Sequence, residues 1–82
     1  MLLTMEISLY PSNENFIPAI DNFIARLNSY EEVDVRTFPT ATIVQGEYDL
    51  VMDILKAEME PHRERYGMGI FVVKFIPGYE AL

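Results

Sequence analysis

From residue 3 to residue 10 the chain alternates, with Leu3, Met5, Ile7 and Leu9 on one side and Thr4, Glu6, Ser8 and Tyr10 on the other. That is the period of a half-buried strand, and Pro11-Ser12-Asn13 breaks it. Phe16, Ile17, Ile20, Phe23, Ile24 and Leu27 then recur at spacings of three and four, the stripe of an amphipathic helix. Asn13 or Asn15 is placed to cap its start, and Pro18 is tolerated in its first turn. Residues 33–38 are rich in β-formers, Pro39 turns the chain, and residues 40–46 make a third strand. A second helix follows over 47–60, burying Leu50, Val51, Ile54, Leu55 and Met59. Pro61 is expected to end or kink it, leaving "HRERYG" as a polar last turn or loop. The closing strand, residues 69–76, is nearly continuous in apolar side chains, and Pro77-Gly78 stops it.

The order β-α-β-β-α-β predicts one ferredoxin-like α+β domain over residues 1–82. Its four-stranded antiparallel sheet carries both helices on one face. The other face then shows Thr4, Glu6, Ser8 and Tyr10. Thr40, Thr42 and Val44 share one face of the third strand, as Ile70, Val72, Lys74 and Ile76 do on the last. A closing strand apolar on both sides predicts that the helix-free face meets another protein surface. The expectation is self-association through the sheet, as a dimer or a tetramer.

Composition narrows the partners. Thirteen Asp and Glu outweigh six Lys and Arg, for a net charge of −7. Nucleic acid and anionic membranes both require a basic surface, so neither is an expected partner. The chain has no cysteine, which removes disulfides, thiolate ligands and thiol nucleophiles. "MLLTMEISLY" lacks the basic start of a signal peptide, and no run nears the roughly 20 apolar residues of a membrane span. The expected location is the cytoplasm.

Candidate chemistry is sparse. His62 is the sole histidine, has no companion to complete a zinc site, and is read as solvated surface. Glu47, Asp49 and Asp53 suit the dipole of a helix start, and Glu58 and Glu60 are read as its solvated side, so no metal is expected. "QGEYD", residues 45–49, puts a glycine at a strand-to-helix junction, the setting of many phosphate cradles. Here Glu47 and Asp49 bring negative charge to that spot. The junction suits a neutral or cationic ligand, or Gly46 simply permits a tight turn. Ser8, Tyr10, Thr42 and Tyr48 are expected to gather near one end of the two central strands. Hydroxyls there would orient a heterocycle and a tyrosine ring would stack on it. The same hydroxyls without a ligand are the equal alternative.

"MEISLYP", then "TATIVQGEYDLVMDILKAEM", then "FVVKFIPG" resemble, in this order, the YkoF-like thiamine-binding family over essentially the whole chain. The resemblance is carried by Ser8 to Pro11 and by Thr42 to Tyr48. It implies a ferredoxin-like domain that binds thiamine or its hydroxymethylpyrimidine moiety without altering it, in thiamine salvage or transport. It also implies association of single domains through their sheets. The binding residues it implies here are Ser8, Tyr10, Thr42, Glu47 and Tyr48, with no cofactor beyond the ligand itself. Related single-domain chains often carry glutamate where this one has Gln45. The rival reading is an ACT-like regulatory or oligomerisation module without a thiamine site. A small acylphosphatase-like enzyme needs an arginine in the loop after the first strand, and "PSNEN" has none, so no catalysis is expected. RNA recognition on this fold needs basic residues beside sheet aromatics, which Tyr10 lacks.

Overall fold

The computed structural model describes residues 1–12 and 16–82. The elements follow the expected order: β1 (Leu2–Pro11), α1 (Phe16–Asn28), β2 (Asp34–Thr37), β3 (Thr42–Glu47), α2 (Tyr48–Tyr66) and β4 (Gly69–Pro77). The four strands form one sheet in the order β2-β3-β1-β4, every pair antiparallel. This is the ferredoxin-like α+β fold. Pro18 sits in the first turn of α1, where its missing N–H has no partner to lose. The two asparagines proposed as its cap lie outside the described residues.

Register decides the faces. Directly opposed residues of an antiparallel pair project to the same side, so Leu3, Met5 and Ile7 share a face with Gly46, Val44 and Thr42. Both helices cover this face, and Phe23, Leu27, Val51 and Ile54 complete the core against it. The opposite face carries Thr4, Glu6, Ser8 and Tyr10 with Ile76, Lys74, Val72 and Ile70 across from them on β4. Thr42 therefore lies on the helix-covered side, not beside the Ser8 side chain, because it pairs with Ile7.

The second helix departs from expectation. Pro61 neither ends nor breaks α2, which runs on to Tyr66 and closes with Gly67 N–H bonded to the Arg63 carbonyl at 3.0 Å. A mid-helix proline loses one backbone bond and crowds the preceding turn. Here the buried stripe Val51, Ile54, Glu58 and His62 continues through it and clamps the turns on either side to the rest of the fold. His62 is 7% exposed, contrary to the solvated reading. Its Nε2 lies 3.0 Å from the Ala19 carbonyl, and its ring meets the edges of Phe23 and Phe71 at 5.6 and 5.7 Å.

Glu58 was also expected on the solvated side and is buried. Its two oxygens take Nε and Nη2 of Arg26, each at 3.0 Å, and the Tyr30 hydroxyl donates to Oε2. The Arg26 hydrogen bonds hold the Glu58 carboxyl below its usual range, and the same carboxylate raises the Arg26 guanidinium. Donation to Glu58, aided by burial, raises the Tyr30 hydroxyl. An acid on a mostly polar helix reads as solvated until α1 presents an arginine to it, a tertiary effect invisible to helical spacing.

Candidate functional site

Beyond its last pair with β1, Ile7 opposite Thr42, β3 gives way to the turn that joins it to β2. This turn, residues 38–41, closes with Phe38 N–H donating to the Ala41 carbonyl at 2.8 Å. Ser8 fastens it to β1: its hydroxyl donates to the Thr40 carbonyl at 2.8 Å. The turn, the end of β1 and the N-terminal half of α1 border a half-open cavity of about 430 Å³. Ile7, Leu9, Phe16, Ile20, Phe23 and Phe38 supply its apolar walls. Thr42, buried, and Thr37, across the β2–β3 pair, hold their hydroxyls 3.1 Å apart at one side of it. In such a pair one hydroxyl donates to the other, which leaves one proton and several lone pairs for an occupant. Among the described residues, none that lines the cavity is charged.

The structure divides the expected site. Ser8, Tyr10 and Thr42 border this cavity, although the Ser8 proton is already donated to Thr40. Glu47 and Tyr48 do not join them. Glu47 pairs with Leu2 at the other end of β1, and six residues of strand put it about 20 Å from Ser8.

At that far end the junction residues are occupied by folding. Glu47 is the N-cap of α2 and accepts the Leu50 N–H at 3.1 Å. Backbone hydrogen bonds from Leu50 and Asp49 keep its carboxyl below the usual range. Tyr48 N–H donates to the Met1 carbonyl at 2.9 Å. Gly46 answers the question raised by its position: a Cβ there would stand 2.7 Å from Val33 Cγ1. The glycine makes room for Val33, and the first helical amides are capped by a carboxylate. No phosphate cradle is formed.

The residues missed by sequence reasoning are Thr37, Phe38, Ile20 and Ile24. The signal was present in "FPTA", residues 38–41, an aromatic-proline turn with more apolar surface than a solvated hairpin needs. Between α1 and α2 a second groove is bordered by Arg26, Glu58, His62 and Arg65, but Glu58 and Arg26 bind each other and His62 is held by Ala19. Among the described residues, no group of three His, Cys, Asp or Glu side chains is arranged to hold a metal. No helix there is long and apolar enough to cross a membrane.

Solved structures with the same fold exist. A protein from Streptococcus pneumoniae superposes with a TM-score of 0.87 at 28% identity, over 96% of this chain and 89% of that one. A Thermotoga maritima protein, provisionally assigned to thiamine biosynthesis or salvage, gives 0.85 at 22% identity, over 99% and 86%. A domain of unknown function from Bacillus cereus gives 0.73 at 17% identity, over 93% and 75%. No family model matches the chain, and no curated protein sequence does.

Proposed function

We propose that this chain binds thiamine or its hydroxymethylpyrimidine moiety, without transforming it, in the cavity beside the β2–β3 turn. The observation that carries the reading is the pairing of the Thr37 and Thr42 hydroxyls at the side of a largely apolar 430 Å³ cavity. Ligand cavities typically span about 300–1,000 Å³ and use a few polar groups to orient a largely apolar occupant. An aminopyrimidine is flat, fits apolar walls, and offers both donors and acceptors to a hydroxyl pair. The resemblance to the YkoF-like family and the fold shared with the Thermotoga maritima protein support the same ligand and a role in cytoplasmic thiamine salvage or transport.

The cavity acts as a receptor rather than a catalyst in this reading. The sole histidine is packed between α1 and α2, and the Ser8 hydroxyl is bound to a carbonyl. A cavity without a charged lining residue among those described favours the neutral pyrimidine alcohol over thiamine, and either over thiamine diphosphate. Isothermal calorimetry with these three ligands tests the order. Silence toward both thiamine and the pyrimidine alcohol at millimolar concentration, with a response to an amino acid, would favour the ACT-like module instead.

The helix-free face is the self-association surface. Ile70, Val72 and Ile76 stand exposed in a row on β4, an edge strand paired only with β1. Val72→Lys would place an ammonium in a drying interface, and sedimentation velocity should then show a smaller particle.

A further inference from the structure

Thr4 and Gln45 face each other across β1 and β3 on the side of the sheet that has no helix. Nevertheless they are only 1% and 4% exposed. What covers them is the chain's own segment after β4. Gly78 adopts φ +75° and donates its N–H to the Leu2 carbonyl at 2.7 Å, which turns the chain back over the face. The Thr4 hydroxyl then donates to the Tyr79 carbonyl at 2.5 Å. Gln45 Oε1 accepts two main-chain N–H groups, from Ala81 at 2.6 Å and Leu82 at 2.8 Å. Each of these contacts reads the backbone of the segment, so Thr4 and Gln45 act as a small receptor for an extended stretch of main chain. The left-handed glycine that feeds it marks the seated position as the built-in one.

Packed sheets stand about 10 Å apart, a gap filled by side chains alone. A backbone segment lying across the face occupies that layer. The face is thereby split. At one end Thr4 and Gln45 are roofed, while Ile76, opposite Thr4 on β4, keeps 43% of its surface at the margin of the segment; the Ser8 end, with Val72 and Ile70 on β4, is open. The open end also carries Glu6 and Lys74, 3.6 Å apart across the strands, and Arg36 of β2 shares this face beyond Ile43. A two-fold axis through that pair lets Glu6 of each copy meet Lys74 of the other, as a self-complementary contact requires.

We propose that residues 79–82 form a latch on Thr4 and Gln45 that confines self-association to the Ser8–Val72 end of the sheet. The inference rests on the self-association reading above and adds where a second copy sits and what sets that position.

The test combines hydrogen exchange with sedimentation velocity. In the wild type the Ala81 and Leu82 amides should be protected. Gly78→Val, which cannot hold the left-handed turn without strain, and Gln45→Leu, which removes the acceptor, should each release them. Ile70→Lys should weaken association by about tenfold or more, whereas Ile76→Lys should change it by less than about twofold while the latch is seated. In the Gly78→Val background, Ile76→Lys should become damaging as well. Equal loss from Ile70→Lys and Ile76→Lys in the latched protein overturns the confinement, and unprotected Ala81 and Leu82 amides overturn the latch. A wild type that is monomeric up to millimolar concentration overturns the self-association reading, and the confinement falls with it, whatever the amides show.

Discussion

Thr42 and Glu47 stand at the two ends of one six-residue strand, and the ends have opposite fates. At the Glu47 end the side chains of the strand are engaged by the fold: Glu47 holds the Leu50 amide, and Gln45 holds Ala81 and Leu82. At the Thr42 end the hydroxyls of Thr42 and Thr37 bond, among the described residues, to each other and border a cavity. Similar residue types at strand ends thus serve folding in one place and are left available in the other. Spare hydrogen-bonding capacity beside a void, rather than residue type, is what singles out the candidate position from the structural one.

The sharpest way to break this comparison is at Gly46. Gly46→Ala puts a methyl group 2.7 Å from Val33 Cγ1, and overpacking of this kind costs about 1–3 kcal/mol. Thermal unfolding should show the loss, with ligand affinity in the surviving folded protein unchanged. Next in size is Thr42→Val, which keeps the shape and removes one hydroxyl. Losing that hydrogen bond should cost about 0.5–1.5 kcal/mol of binding, up to roughly tenfold in Kd, as read by calorimetry. Its effect on melting temperature should be smaller than that of Gly46→Ala.

Acid titration bears on the other end. The folded-state carboxyls of Glu47 and Glu58 lie below the ordinary glutamate value of 4.5. Their contribution is therefore fully present above pH 4.5 and is lost as the pH falls through their lowered values. Glu58→Gln should flatten the acid limb of the stability curve, measured by chemical denaturation across that range. Glu47→Gln should flatten it less, because Glu47 is solvent-exposed and caps only one helix. Smallest of all, Tyr48→Leu should leave ligand affinity unchanged, since Tyr48 stands at the end of β3 away from the proposed cavity.

The fold was readable because each element has its own period and its own stop, from the Leu3–Leu9 alternation to Pro77-Gly78. The lining of the candidate cavity was legible only in part. Ser8, Tyr10 and Thr42 were found at the cavity because the fold order makes β1 and β3 neighbours. Two neighbouring strands, however, have two ends, and composition does not say which end a junction residue serves. Glu47 and Tyr48 were grouped with the others for that reason. Thr42 was linked to Ser8 without the register, and pairing with Ile7 turns it to the opposite face. Pro61 and His62 were misread locally because a stripe of buried contacts along α2 outweighs one missing backbone hydrogen bond. The Gln45 contact with residues 81 and 82 spans more than thirty residues, a distance at which periodicity carries no information.

The most direct test of the binding site is a titration of nitrogen-15-labelled protein with hydroxymethylpyrimidine, followed amide by amide in solution. The account predicts shifts centred on Thr37 to Thr42 (Pro39 has no amide), Tyr10 and Ile20, with Glu47 to Val51 still. Shifts centred on Glu47 and Tyr48, or none at millimolar ligand, would contradict it.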